Sequence, residues 1–321
     1  MDRTAQVLGL LREVGLPLDD DDISDRIGMN RHYVNQVCRR LAADGLIQRE
    51  PGPTGKLVNR LGAIGEPESV GLPSPAPPSR AEAPRRLRRH DRARRNVDAL
   101  IGGFDRYLAQ FEQSNAFPGP SLYFHERALA RRRAHNNAAA LMDDELFFEY
   151  LYAVLPAWGM HRMGKQPAKV GDFTEMVESF RSALRGIEAL WDRRIVEVHP
   201  EQADEVAASV WEVIAALKVS TSGTKIVAGS KALHHVLPDL VPPIDRQYTF
   251  RFFTGQMSLA HGDRRAFLEW FPLLCEIGCA RRAEIDAALI RGGFMATGPA
   301  KVIDNAIMGF MQLSDGGDDA A

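Results

Sequence analysis

The chain has 321 residues, of which 45% are hydrophobic, and a formal net charge of −2 at pH 7. This length predicts two or three domains, each large enough to bury its own core. The nearly neutral charge excludes a general attraction to nucleic acid, so any such site must come from local clusters of basic residues.

Several chemical classes are excluded by the motifs. The cysteines Cys38, Cys275 and Cys279 cannot supply the four ligands of a structural zinc site or an iron–sulfur cluster, and they predict free thiols in a reducing compartment. The pair His234-His235 lacks metal-ligand spacing, and phosphate-binding, hydrolase and dinucleotide fingerprints are missing. We therefore expect no metal and no cofactor. Without a secretory leader or an apolar span, we expect a cytoplasmic protein with no membrane partner.

Residues 1–63 carry the pattern of three helices followed by a two-stranded hairpin. Apolar residues recur at helical spacing, and Gly28 and Asn30 separate two of the helical segments. We expect the helices at Arg3–Val14, 23–28 and 31–45, with an acidic loop at 19–22. The strands are expected at 46–49 and 56–58, on either side of a turn rich in proline and glycine.

This segment resembles the winged helix-turn-helix DNA-binding domains of bacteria. In that family the third helix enters the major groove, which implies that Arg31 and Asn35 reach base edges. Arg39, Arg49 and Lys56 would then meet phosphates. The alternative is a winged helix used for protein contacts, in which these side chains are only solvated.

A linker and an arginine cluster follow. Residues 64–84 contain six prolines among small and polar residues, which predicts a disordered linker. Residues 85–95 then contain seven arginines, a density that favours phosphate contact, and 125–135 is a second basic run. The alternative is a solvated basic helix. The first arginines predicted to bind DNA are Arg85, Arg86, Arg88 and Arg89.

From about residue 96 onward the apolar residues recur at i, i+3 and i+4, and no segment alternates as a strand does. This predicts an all-helical domain followed by a short acidic tail at 314–321. Together with its arginine-rich entry, the predicted helical domain covers residues 85–313. The predicted fold class of the whole chain is mainly α, with a small β wing near the N-terminus. The aromatic residues of 147–158 are expected in the core.

The stretch 219–253 predicts a helix, a proline-rich loop and a second helix. Its first helix runs from about Thr224 to Val236. Lys225 lies in the first turn, where the macrodipole disfavours a positive charge, so it calls for a bound anion or a lowered amine pKa. Asp245 precedes the second helix and is a good N-cap, which by itself would explain an aspartate there.

This stretch resembles the helix-hairpin-helix DNA glycosylases. The matching residues are Gly223-Thr224-Lys225, Pro243-Ile244-Asp245 and Arg251. The resemblance implies that Lys225 attacks the sugar as a nucleophile and that Asp245 assists, with Gly223 and Arg251 at the DNA. A weaker repeat, between 221–227 and 296–303, places Lys301 in the first turn of a later helix, where it would bind a phosphate.

Two functions follow from these patterns. The first is a DNA-binding enzyme that extrudes a modified or damaged base and excises it through Lys225 and Asp245. The second is a non-catalytic transcriptional regulator or DNA-associated protein, whose helical domain senses a ligand or dimerises. The position of Lys225 relative to Asp245 discriminates between them, since the enzyme needs both in one cleft.

Overall fold

The computed structural model is mainly helical, with one small antiparallel sheet near the N-terminus, which confirms the predicted fold class. Contacts divide the chain into two compact units, Met1–Pro77 and Pro78–Ala321, here called the N-terminal unit and the helical unit. The structure describes residues 3–28, 31–51, 57–61, 82–114, 117, 119–160, 169–259 and 262–317.

Within its described residues, the N-terminal unit contains three helices and a three-stranded sheet. Its elements in chain order are α1 (Arg3–Val14), β1 (Leu18–Asp19), α2 (Asp20–Ile27), α3 (Arg31–Ala43), β2 (Ile47–Pro51) and β3 (Leu57–Leu61). The predicted hairpin forms between β2 and β3, and β3 lies in the middle of the sheet. Strand β1, which pairs Leu18 with Asn59, was not predicted because two residues carry no periodicity.

The acidic run at 19–22 is not the loop expected from its composition. Asp19 is the N-cap of α2 and accepts a hydrogen bond from the Asp22 backbone N at 2.8 Å. The following aspartates form the first helical turn. Carboxylates are stabilising there because they face the positive end of the helix dipole. The same residues that look like a solvated loop therefore begin a helix.

The core of the N-terminal unit is a single apolar cluster. On the third helix, Val34, Cys38 and Leu41 are fully buried. They pack with residues of α1, α2 and β2. All three cysteines of the chain are free thiols.

The helical unit contains the remaining helices. They are α4 (Glu82–Gly102), α5 (Phe104–Gln113), α6 (Pro120–Arg133), α7 (Ala138–Met142), α8 (Glu145–Leu155), α9 (Phe173–Ser182), α10 (Leu184–Glu188), α11 (Pro200–Ala216), α12 (Lys225–Val236), α13 (Arg251–Thr254), α14 (Asp263–Ala280), α15 (Arg282–Arg291) and α16 (Pro299–Gly317). A kinked turn at Pro156–Met160, with non-helical backbone at Trp158 and Gly159, follows α8. A wide helical turn at Arg246–Phe250 follows Asp245. A short 3-10 turn lies at Ile195–Glu197.

Helix α4 begins inside the predicted linker. Residues 82–84, which the sequence assigned to that linker, are its first three residues. The rest of the linker and the last four residues of the predicted acidic tail lie outside the described residues. Residues 314–317, the first half of that predicted tail, are instead the last residues of α16.

Helix α16 is the central element of the helical unit. Residues 300–309 are all buried, and the helix packs against α5 along much of its length, with α14 and α15 on other sides. Its closest approach is at Gly309, where a side chain would collide with the backbone carbonyl of Tyr107 in α5. Only glycine permits the two helices to lie this close together.

Among the described residues, no helix combines the length and the apolar character that a membrane span needs.

Gly309→Ala is expected to destabilise the helical unit by at least about 3 kcal/mol, because a backbone collision between two packed helices cannot be relieved by a rotamer change. Gly102→Ala at the end of α4 is the control, since its added methyl group meets nothing within 4 Å and should change stability by no more than about 1 kcal/mol. Thermal unfolding of both variants checks this. Equal melting temperatures would contradict the packing described for α5 and α16.

Candidate active site

A cavity of about 550 Å³ lies within the helical unit. Its walls come from the turn after α8, from one face of α12, from the turn after Asp245 and from the N-terminal half of α16. The lining also includes Phe117, Ser121, Lys169, Ser220, Ser222 and Met257. Segments from several parts of the helical unit therefore enclose one space. The volume falls in the range of small-molecule sites, about 300–1,000 Å³.

Aromatic side chains form part of the cavity wall. Phe117, Trp158 and Tyr248 line it, together with Met160 and Met308. The indole N–H of Trp158 donates to the Ser121 carbonyl at 3.2 Å, which holds the ring in place. Flat apolar surfaces of this kind suit a planar ligand, because aromatic rings stack on one another and gain energy beyond simple burial.

Asp245 is both a helix cap and a lining residue of the cavity. Its Oδ1 accepts hydrogen bonds from the backbone N–H groups of Tyr248 at 2.6 Å and Thr249 at 3.3 Å. Both hydrogen bonds that the described residues donate to this carboxylate fall on Oδ1. Asp245 also lines the cavity, so the capping role and a role toward a ligand are compatible.

The segment before Asp245 is held rigidly. Pro242 and Pro243 keep the backbone extended, and the N–H of Ile244 donates to the Ser230 hydroxyl at 3.0 Å. Ser230 is fully buried in α12. Helix α12 therefore positions Asp245 directly, which is the physical link between the two helices that the sequence predicted.

An ion pair lies at the base of the cavity. The Lys301 ammonium donates to Asp304 at 2.7 Å and to the Asn305 side-chain oxygen at 2.5 Å. It also lies 5.1 Å from the ring of Phe117 and 5.9 Å from that of Trp158, within range of cation–π attraction. Burial raises the pKa of Asp304, and the Lys301 charge opposes that shift.

Lys231 is a cavity residue that the sequence analysis missed. It lies two turns after Thr224 on the face of α12 that lines the cavity, and its Nζ donates to the Trp158 carbonyl at 2.7 Å. Burial lowers the pKa of its ammonium, while the carboxylates of Asp245 and Asp304 oppose the shift. Lys231 lies three residues after Ala228 and seven after Thr224. These spacings place the three residues on one face of a helix, and this is the signal that could have identified Lys231.

Lys225 does not reach the cavity, contrary to the expectation that it meets Asp245 in one cleft. Its Nζ donates to the carbonyls of Ala215 at 2.6 Å and Leu217 at 3.2 Å. These groups end helix α11, where carbonyls lack helical partners and a cation is favourable. In this structure Lys225 therefore stabilises a helix end and is not placed to act as a nucleophile.

The sequence analysis expected an anion near Lys225, at the start of α12. The structure places a carboxylate of the chain itself there. Thr224 provides no side-chain cap. Instead, the carboxylate of Asp263 accepts from the backbone N–H of Lys225 and from that of Ile226, the latter at 3.1 Å. A residue 38 positions away therefore occupies the site where a phosphate was expected.

Two predicted DNA-contacting residues of the N-terminal unit are held by a buried carboxylate. Asn35 donates to Asp20 at 2.5 Å, and Arg49 forms an ion pair with the same side chain at 2.6 Å. Asn59 donates to its other oxygen at 2.9 Å. A buried carboxylate needs these partners, so Asn35 is not free to read bases and Arg49 is not free to meet phosphate.

Two predicted DNA-contacting residues of the helical unit also have other partners. Lys301 is fully buried, so it cannot meet the DNA backbone at the surface. Arg251 forms a two-point ion pair with Asp315, with one contact of 2.8 Å. By contrast, Arg39 and Gly223 are exposed.

The described side chains do not include the remaining predicted contacts, which stay predictions. These are Arg31, Lys56, Arg85, Arg86, Arg88 and Arg89. Within the described part of the arginine cluster, Arg94 forms ion pairs with Asp98 and Glu276, whereas Arg92 and Arg95 are exposed.

The second basic run is largely structural. His125 is buried, and Arg131 forms an ion pair with Asp144 at 2.7 Å. Arg132 stacks on Trp191 at 3.4 Å. Arg127 and Arg133 are exposed and are the arginines of this run that a phosphate could reach.

Buried histidines form a hydrogen-bonded chain beside Trp158. His235 Nδ1 donates to the Lys231 carbonyl at 2.8 Å, so its Nε2 is the acceptor for His125 Nδ1 at 3.0 Å. His125 Nε2 then accepts from the Thr297 hydroxyl at 2.9 Å. A carbonyl can only accept, and this one contact assigns the neutral tautomer of both rings.

Burial keeps this cluster uncharged. It lowers the pKa of His235 to about 4 and lowers those of His125 and His234 well below their ordinary value. His234 Nδ1 donates to the Val241 carbonyl at 2.8 Å. The rings therefore act as neutral packing and hydrogen-bonding groups around the cavity wall.

Among the described residues, no group of three or more histidine, cysteine, aspartate or glutamate side chains is arranged to hold a metal ion. Comparisons with family models, curated proteins and solved structures found no match to this chain.

Lys225→Met is expected to lower the free energy of unfolding of the helical unit by about 1–2 kcal/mol, because it removes charge-assisted hydrogen bonds from the end of α11. Lys218→Met is the control: Lys218 is exposed and its ammonium lies 3.9 Å from Glu175, so the change should stay below about 1 kcal/mol. Urea unfolding measures both. A stable Lys225→Met protein would show that the helix end does not need this cation.

The stability of the helical unit should fall as the pH decreases from about 6.5 toward 4. Unfolded histidines take up protons near their ordinary value of 6.5, whereas the buried rings do not until the pH approaches about 4 for His235. The unfolded state therefore binds more protons in this window and is favoured. Urea unfolding between pH 7.5 and 4.5 measures the slope, which should be less steep in His235→Gln. A flat profile would contradict the neutral cluster.

Proposed function

We propose that the helical unit removes a modified or damaged base from DNA by cleaving its N-glycosidic bond, with Asp245 as the carboxylate that acts on the sugar. The observation that carries this proposal is the position of Asp245: it lines a cavity of about 550 Å³ that also presents aromatic rings. An enzyme that acts on a base must take it out of the stack into such a pocket.

The cavity supports recognition of an extruded base. Trp158, Phe117 and Tyr248 offer flat surfaces for stacking. Ser121, Ser220 and Gln247 add polar side chains to the lining, which can read the hydrogen-bonding edge of a base. An apolar wall with a few polar groups is the usual composition of a selective small-molecule site.

The reaction needs one carboxylate and one water molecule. As the glycosidic bond breaks, the base leaves with the bonding electrons and takes up a proton, and positive charge develops at C1′ of the sugar. The negative charge of Asp245 stabilises that transition state. Asp245 also orients the attacking water and accepts its proton. The products are the free base and an abasic sugar carrying the water hydroxyl.

Exposed basic residues would hold the DNA. Arg92 and Arg95 at the described end of the arginine cluster, and Arg133 at the end of α6, are exposed. Arg39 is exposed on α3 of the N-terminal unit. These residues support phosphate contacts, which give affinity without base specificity. DNA is therefore the proposed partner.

A non-catalytic regulator is the second candidate. One observation favours it: Asp245 caps the turn at Arg246–Phe250, so the aspartate has a structural reason to be present without any chemistry. In that case the cavity would bind a small ligand and the N-terminal unit would bind DNA. The two functions differ in what the charge of Asp245 contributes.

Asp245→Asn tests this difference, because the amide oxygen still accepts the capping hydrogen bonds while the charge is lost. On a duplex series carrying damaged or modified bases, we expect the wild-type chain to release a base and Asp245→Asn to lose at least about 100-fold in rate, the usual size of a lost charge-stabilising group. Both proteins should have similar melting temperatures. Release of the free base is measured by chromatography.

Asp263→Asn is the matched control. Asp263 also accepts backbone N–H groups at a helix start, but it does not line the cavity. It should keep its excision rate. Full excision activity in Asp245→Asn would remove this residue from the chemistry, and base release by neither the wild type nor any variant would favour the regulator.

A further inference from the structure

We propose that Lys231 is an amine nucleophile that forms a covalent imine with an aldehyde bound in the cavity. The identity of the aldehyde rests on the proposed function: it would be the open-chain C1′ aldehyde of the abasic deoxyribose that base removal leaves behind. The imine chemistry itself depends only on Lys231 and the cavity.

The first argument is the contrast between two lysines that line the same cavity. Lys301 has a carboxylate at 2.7 Å and an amide oxygen at 2.5 Å, and aromatic rings surround it, so its charged form is stabilised. Lys231 has a neutral carbonyl, that of Trp158, at 2.7 Å. Among the described residues, no carboxylate oxygen lies within 4.0 Å of its Nζ.

This contrast separates the two roles. A buried ammonium without a close counter-ion is disfavoured relative to the neutral amine, and burial lowers the pKa of Lys231 accordingly. Lys301 serves as a fixed positive charge beside Asp304, whereas Lys231 is the lysine that can present a lone pair. Paired groups whose environments separate their protonation states are a recurrent feature of active sites.

The second argument is orientation. The hydrogen bond to the Trp158 carbonyl fixes the Lys231 Nζ at the cavity wall, beside the aromatic surface proposed to stack the base. The neutral amine donates one hydrogen in this bond and keeps its lone pair. Pre-orientation of the nucleophile is a large part of what an enzyme supplies.

The covalent step balances without any further reactant. The amine lone pair of Lys231 attacks the aldehyde carbon, a C–N bond forms, and a proton passes from nitrogen to the former carbonyl oxygen. That oxygen then leaves as water, and a C=N bond replaces the C–O bond. The carboxyl of Asp304, whose pKa burial raises, and the carboxylate of Asp245 are the cavity groups that can supply and accept the protons.

A test without DNA uses the full chain, glycolaldehyde and cyanoborohydride at pH 7. Cyanoborohydride gives hydride to the imine carbon and leaves a stable secondary amine, which peptide mass spectrometry locates. We expect Lys231 to be labelled severalfold faster than the exposed Lys218, because its lowered pKa leaves a larger fraction of its amine neutral and reactive at pH 7. Labelling of Lys231 no faster than Lys218 would overturn the proposal.

A test with DNA uses a duplex with a preformed abasic site, so that trapping does not require base removal. Borohydride should join the wild-type chain and the Lys218→Met control to the duplex. Lys231→Met and Lys231→Arg should each lose the adduct. Lys231→Arg keeps a positive hydrogen-bond donor for the Trp158 carbonyl. Loss of the adduct in this variant is therefore not explained by loss of that contact and misfolding.

Lys169 also lines the cavity, so its amine is the alternative nucleophile that the experiment must exclude. If Lys169→Ala abolishes trapping while Lys231→Met retains it, the assignment to Lys231 is wrong. Fast labelling of Lys231 in a protein that releases no base would support the imine chemistry and reject the proposed function. If the wild type and Lys231→Met release the base equally and neither forms an adduct at the abasic site, the proposed function is supported and the imine proposal is rejected.

Discussion

The stability of the helical unit depends on how the charged side chains of its buried helix α16 are paired. Residues 300–309 are all buried, yet they include Lys301 and Asp304. Isolated charges at such depth would be very costly. The pair is tolerated because the two side chains meet at 2.7 Å, Asn305 accepts a second hydrogen bond and aromatic rings face the ammonium. Both residues of this pair line the cavity.

A second constraint places Asp245 in the same cavity. The proline pair before it cannot continue α12, and the hydrogen bond from Ile244 to Ser230 ties the loop back to that helix. Capping then fixes the carboxylate through Oδ1. The need to cap the helical turn therefore holds the Asp245 carboxylate rigidly at a cavity large enough for a ligand. Asp245 serves both stability, as a helix cap, and the proposed chemistry. Only a substitution that removes its charge and keeps the cap distinguishes the two roles.

Local spacing misassigned the lysines of α12. Lys225 follows a glycine and a threonine and matches a catalytic pattern, but its side chain turns toward the end of α11. Lys231, about one and two-thirds turns later, lines the cavity. The difference arises because six residues on an α-helix are a rotation of about 600°, which moves a side chain to another face. Which face meets the cavity depends on the helices packed around α12.

The sequence by itself determined the elements: apolar periodicity predicts α1, α3 and α12, and the Pro-Gly turn predicts the hairpin of β2 and β3. It also determined Asp245 as a cap, because capping is decided within four residues. Only the tertiary structure decided the partners. Asp263 reaches the start of α12 from 38 residues away, and Asp20 holds Arg49 from 29 residues away. Long-range ion pairs and cavities arise from packing between distant segments, and no local pattern encodes them.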